Sequence, residues 1–73
     1  MHRFLVIIER AGENYSAYSL DLPGCVATGT TREEAESNMY EAIDLHLQGL
    51  EEDHLPIPPA DSIAEYFVVR RAG

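Results

Sequence analysis

Residues 21–35 read DLPGCVATGTTREEA, and this stretch decides the fold. Pro23 presets φ at the second position of a tight turn and Gly24 supplies the positive φ needed at the third, so the chain reverses here. Residues 25–29 (CVATG) then fit a short strand, and Gly29 lets the chain leave the sheet. Thr31 followed by Glu34 matches a capping box. The Thr31 hydroxyl can accept from the Glu34 N–H while the Glu34 carboxylate reaches back to the Thr31 N–H. Thr30 with Glu33 is the alternative register. Acidic residues in a first turn suit the helix dipole, and Ala35 is small enough for close contact between helix and sheet.

Upstream, residues 3–9 (RFLVIIE) form a continuous apolar run, which predicts a central strand covered on both faces. Residues 11–14 (AGEN) carry a turn signal, and residues 15–20 (YSAYSL) have the composition of a returning strand. Downstream, the helix is expected to reach about Glu51 or Glu52. Gly49 costs roughly 1 kcal/mol relative to alanine and invites an early end. Ala35, Met39, Ala42, Ile43, His46 and Leu50 fall on one stripe, and Glu33, Ser37, Glu41, Asp44, Gln48 and Glu51 on the opposite one, as in a helix lying on a sheet. Residues 54–59 (HLPIPP) cannot continue a helix, and residues 63–70 (IAEYFVVR) predict a fourth strand. The expectation is one α+β domain over residues 1–73 in the order β-β-β-α-β. The fourth strand runs parallel to the first, the sheet order is 3-2-1-4, and one helix covers one face.

The chain has 73 residues and a net charge of −8, from 13 acidic and 5 basic side chains. Such a surface repels phosphate backbones, which argues against direct nucleic-acid binding by a monomer and suits a basic partner. A core this small gains from self-association, so a homo-oligomer, a dimer or larger, is expected. The single Cys25 excludes an internal disulfide and fits a reducing cytoplasm. The apolar run near the start is too short for a secretory or membrane-spanning segment. A cytoplasmic protein without membrane association is expected.

Little in the sequence points to chemistry. His2, His46 and His54 lack the spacing of a zinc motif, and Cys25 has no second cysteine. His46 is expected as a hydrogen-bonded core or interface residue, and Cys25 as a small core residue. Glu9 and Asp21 fall near opposite ends of a hairpin, too far apart for a shared two-metal site. Asp21 reads as a turn residue capping local N–H groups. No catalytic, cofactor-binding or metal-binding residue is expected. A partner surface is expected on the acidic helix face, with Glu33, Glu41, Asp44 and Glu51 steering a basic protein and Tyr40 and Leu47 as apolar anchors at its edge. The uncovered sheet face and the last strand, with Tyr15, Tyr18, Tyr66 and Phe67, are rival surfaces. The last strand could also pair with its copy.

The ordered set Asp21, Pro23, Gly24, Cys25, Gly29, Thr31, Glu33, Glu34, Ala35, Asn38, Glu41 and Ala42 resembles the motif of the HicB-like antitoxins. The resemblance runs from the first strand to the last. It implies a partial ribonuclease-H-like β-β-β-α-β unit that binds and neutralises a small basic mRNA-cleaving toxin, HicA. Many family members carry a C-terminal DNA-binding domain, and this sequence reads as a minimal form without one. Asp21, Pro23, Gly24, Cys25, Gly29, Thr31, Glu34 and Ala35 are expected to be structural. The alternatives are an oligomeric structural domain that has lost its toxin, and a degenerate ribonuclease-H-like nuclease.

Overall fold

The computed structural model describes residues 2–72. Three antiparallel strands, β1 (Ile7–Ala11), β2 (Asn14–Tyr18) and β3 (Val26–Gly29), are followed by one helix, α1 (Arg32–Glu52), and the sheet order is β1-β2-β3. The architecture is α+β, as the sequence predicts.

The first hairpin is tight. Ala11 pairs with Asn14, leaving Gly12 and Glu13 as the loop. Gly12 has φ +63° while Glu13 stays at negative φ, the sign pattern of a two-residue type II′ turn whose twist matches the flanking strands. Pairing therefore starts at the turn and dies out away from it. This shifts β1 from the expected residues 3–9 to Ile7–Ala11 and shortens the second strand to Asn14–Tyr18. Two consecutive turns then join β2 to β3. The Leu22 N–H donates to the Ser19 carbonyl (3.3 Å) and the Cys25 N–H to the Leu22 carbonyl (3.1 Å). Gly24, at φ +84°, fills the position the sequence assigns to it.

The register puts Phe4, Val6 and Ile8 with Ala17, Cys25 and Ala27 on the side covered by α1. There Ala17, Leu22, Cys25 and Met39 form the buried cluster, with Ala42 and Ile43 packed against it. Leu22 and Met39 are the largest side chains fully removed from water, worth about 1.5–3 kcal/mol each. Cys25 is buried, and desolvation pushes its thiol pKa up, which disfavours the reactive thiolate. His46 sits on the inward stripe only half-buried, short of the core position the helical wheel suggests.

The helix start is as the sequence reads, with one change. The Glu34 N–H donates to the Thr31 hydroxyl (3.0 Å), but the Glu34 carboxylate accepts from the Thr30 N–H (3.0 Å) and the Thr30 hydroxyl (3.3 Å), not from Thr31. The helix passes through Gly49 and ends at Glu52. Its end is a Schellman motif: the His54 N–H donates to the Glu51 carbonyl (3.1 Å) and the Leu55 N–H to the Leu50 carbonyl (2.8 Å). His54 occupies the left-handed position at φ 56°, where an L-residue pays about 1–2 kcal/mol. His54→Gly should therefore raise stability by about 1 kcal/mol, or roughly 4–8 °C in Tm. Unchanged thermal melts would mean that the imidazole makes a compensating contact.

Residues 63–70 form no strand, so the fourth place in the expected order 3-2-1-4 is empty within one chain. Their apolar and β-branched composition asks for burial on both faces. A single copy provides none: Tyr66 is 104% exposed and Val68 101%.

Candidate functional site

The helix is placed off-centre on the sheet. It packs chiefly over β3 and β2 and barely over β1. Two close contacts hold it there. Gly29 lies directly beneath Ala35, and the Asn38 side-chain amide donates to the Thr28 carbonyl (2.8 Å). The β1 margin of the covered face consequently stays open. A trough of about 420 Å³ runs between β1 with its lead-in (Phe4, Val6, Ile8) and the helix residues Glu36, Met39, Tyr40 and Ile43. It continues past Tyr40 into a second hollow of about 240 Å³ that reaches Asp44 and Leu47.

Of the partner-contact residues expected from sequence, Tyr40, Asp44 and Leu47 are brought together on the wall of this trough. Glu33 and Glu51 continue the same stripe of α1 and are exposed, and Glu41 is exposed one step around the helix. Among the described residues, Arg32 with Glu36 (3.0 Å) is the single ion pair. The acidic shoulder is thus almost wholly free of counter-charge from its own chain. An apolar trough beside an acidic helix face combines the two features that a protein interface uses, apolar area for affinity and charge for steering. Sequence reasoning did not assign Phe4, Val6 and Ile8 to this site. Their unbroken apolar run signalled a covered strand, and the missing cover is what creates the trough.

Asp21 has a different role from the expected local cap. Its Oδ2 accepts from the Leu5 N–H (3.0 Å) and its Oδ1 from the Ser62 N–H (3.0 Å), while its own N–H donates to the Ser19 hydroxyl (3.2 Å). The carboxylate clasps the two ends of the domain from a buried position. The Leu5 N–H, followed by Ser62, holds its pKa below the ordinary carboxylate value. Glu9 is exposed on the other face of the sheet, beside Tyr18, whose phenol it pushes up. Both Asp21 oxygens are thus committed to backbone N–H groups, and no cluster of three metal-ligating side chains occurs among the described residues.

Comparison with known proteins agrees with the residue pattern. A family model described as the HicB-like antitoxin of bacterial toxin–antitoxin systems matches residues 4–70. An uncharacterized 14.9 kDa protein from the rep–hol intergenic region of Haemophilus phage HP1 is 36% identical over 62 residues, covering 85% of this chain and 47% of the phage protein. A UPF0150 protein of Synechocystis is 35% identical over 66 residues, 89% of this chain and 84% of the relative. A UPF0150 protein of Helicobacter pylori is 45% identical over 49 residues, 67% of this chain and 68% of the relative. The chain thus spans about half the phage protein's length and most of the other two. No solved structure matches significantly. No helix among the described residues is long and apolar enough to cross a membrane.

Proposed function

Because the chain belongs to the HicB-like antitoxin family of bacterial toxin–antitoxin systems, we propose that it is the antitoxin of a small basic HicA-type ribonuclease and neutralises it by occlusion. The observation that supports this reading is the apolar trough beside a helix face whose exposed carboxylates Glu33, Glu41, Asp44 and Glu51 make no ion pair among the described residues. Glu33, Glu41, Asp44 and Glu51 steer the basic toxin, and Tyr40 and Leu47 anchor it. The bound antitoxin covers the toxin's RNA-binding surface or its catalytic histidine. No chemistry by this chain is required, and the complex works in the cytoplasm. Residues 1–73 act as one domain, with the partial ribonuclease-H-like order 3-2-1-4 completed when residues 63–70 take the fourth place.

The experiment is a low-salt pull-down with the tagged chain from its host's lysate, read by mass spectrometry. The expected capture is a small basic protein with a candidate catalytic histidine, released by salt. With that protein purified, Glu41→Lys with Asp44→Lys should slow association about tenfold and flatten its salt dependence. Recovery of nothing beyond copies of the chain would replace this reading with that of an oligomeric domain lacking a toxin.

A further inference from the structure

The helix layer over the sheet is only half filled. α1 packs over β3 and β2 and barely over β1, and among the described residues no second helix follows it. A sheet face buries its apolar positions under packed helices. Phe4, Val6 and Ile8 are on the helix side but stay half-buried beside the trough.

The trough has the length of one short helix. Its α1 wall runs from Glu36 to Leu47, three turns or about 16 Å. The opposite wall runs from His2 to Ile8, about 20 Å of extended chain. The two walls are antiparallel. His2 and Phe4 line a hollow with Asp44 and Leu47, whereas Val6 and Ile8 share one with Arg32 at the start of α1.

We infer that the trough, taken as the partner's surface as proposed above, seats one basic amphipathic helix of that partner, laid beside α1 as the second helix of the layer. A strand is the wrong shape for this place. Added at the β1 edge it would lie in the plane of the sheet, extending the floor of the trough without filling it. The chain's own last segment lies elsewhere. Ala60, Ser62 and Ile63 sit against Arg3 and Leu5, Ser62 is held there by Asp21, and no described residue beyond Leu47 lines the trough. Charge disfavours a second copy. The α1 wall carries Glu36 and Asp44, the last turn of α1 has no basic residue, and the whole chain is at −8. Another acidic helix is repelled and a basic one attracted. The exposed pair of Glu36 with Arg32 opposes this little, since surface ion pairs contribute little. The helix that fits has apolar residues at i, i+3, i+4 and i+7. They meet Met39, Tyr40 and Ile43 on one side and Phe4 and Val6 on the other. Lys or Arg beside that stripe meets Asp44 and Glu36.

The probe is a synthetic peptide of about 14 residues, long enough for the three turns, with leucines at those spacings and lysines elsewhere. It is titrated into the full chain and followed by NMR. Amides 4–8 and 36–47, on the two walls, should shift together, and added salt should weaken binding. Tyr40 is 77% exposed, so Tyr40→Ala leaves the fold intact and should weaken binding about tenfold. Leu45→Ala, on the same helix but outside the trough, should change nothing. A peptide of the same composition with leucine and lysine alternating is patterned as a strand and should bind more weakly. Equal or tighter binding by that peptide would overturn the inference in favour of strand addition, and so would binding indifferent to Tyr40→Ala. Shifts at the trough that follow the chain's own concentration, without peptide, would make a second copy the occupant and overturn it too. Binding of the helical peptide with no toxin captured from lysate would sink the toxin assignment and leave the helix site standing. A captured toxin that the peptide does not displace would leave the toxin assignment standing and sink the helix site.

Discussion

Gly29→Ala should be among the most damaging single-methyl additions to this protein, at a cost of roughly 3 kcal/mol. A Cβ built at Gly29 lies 2.9 Å from both the Ala35 Cα and the Glu34 carbonyl carbon. These are backbone atoms of the first helical turn, and that turn cannot yield easily. Its N-terminus is tied by the Thr31 and Thr30 bonds to Glu34, and the Asn38 bond to Thr28 holds the next turn to β3. Moving the helix outward would also open the contact between Met39 and the buried cluster. A domain of this size has about 4–11 kcal/mol of stability in all, so a roughly 12–24 °C fall in Tm is expected. The matched control is Gly49→Ala. The same methyl there meets nothing within 4 Å and should stabilise the helix by about 1 kcal/mol. Urea melts of the two variants read the difference directly. Equal midpoints would show that the helix can slide on the sheet, and the argument from close approach would fail.

The contrast between these glycines shows what the sequence makes legible. The capping signal at Thr31 and Glu34 and the Pro23-Gly24 turn were readable because their partners lie within four residues. Local spacing alone specifies them. The length of α1 was readable from one long periodic stripe. Leu22 was missed as a core residue because it stands inside a turn motif, yet the paired turns aim it at the cluster. His54 at the helix end was missed because the usual glycine or asparagine signal is absent there. The fourth strand was legible as a composition but not as a pairing. A strand's ladder belongs to its neighbour, and nothing in residues 63–70 says which chain that neighbour is on. The acidic shoulder was visible on the helical wheel. The trough beside it was not, because it arises from the lateral offset of the helix, fixed by Gly29 and Asn38.

Asp21→Asn should lower Tm by on the order of 10 °C at neutral pH, with a pH dependence that a simple packing defect would lack. The carboxylate accepts from Leu5 through one oxygen and from Ser62 through the other. An amide keeps one acceptor and turns a donor toward the second N–H, so one bond is lost and a donor–donor clash replaces it. The two N–H donors come from positions 16 and 41 residues away in the chain. Losing them frees both the lead-in to β1 and the departure point of residues 63–70. The folded-state pKa lies below the ordinary value of 3.8, and the Leu5 bond is the largest cause. A carboxylate whose pKa is depressed by folding contributes stability that is fully present above its unfolded pKa and is lost as pH falls through the folded pKa. The gap between wild type and Asp21→Asn should therefore be constant from neutrality down to about pH 5, and shrink below 3.8. Thermal or urea melts at pH 7, 5 and 3 measure it. A gap that stays unchanged at pH 3 would mean that the charge of the clasp is irrelevant and only its shape matters. Hydrogen exchange at Leu5 and Ser62 gives an independent reading. Both amides should lose protection together in Asp21→Ala, which removes both acceptors, whereas Asp21→Asn, with one acceptor left, should expose one of them more than the other.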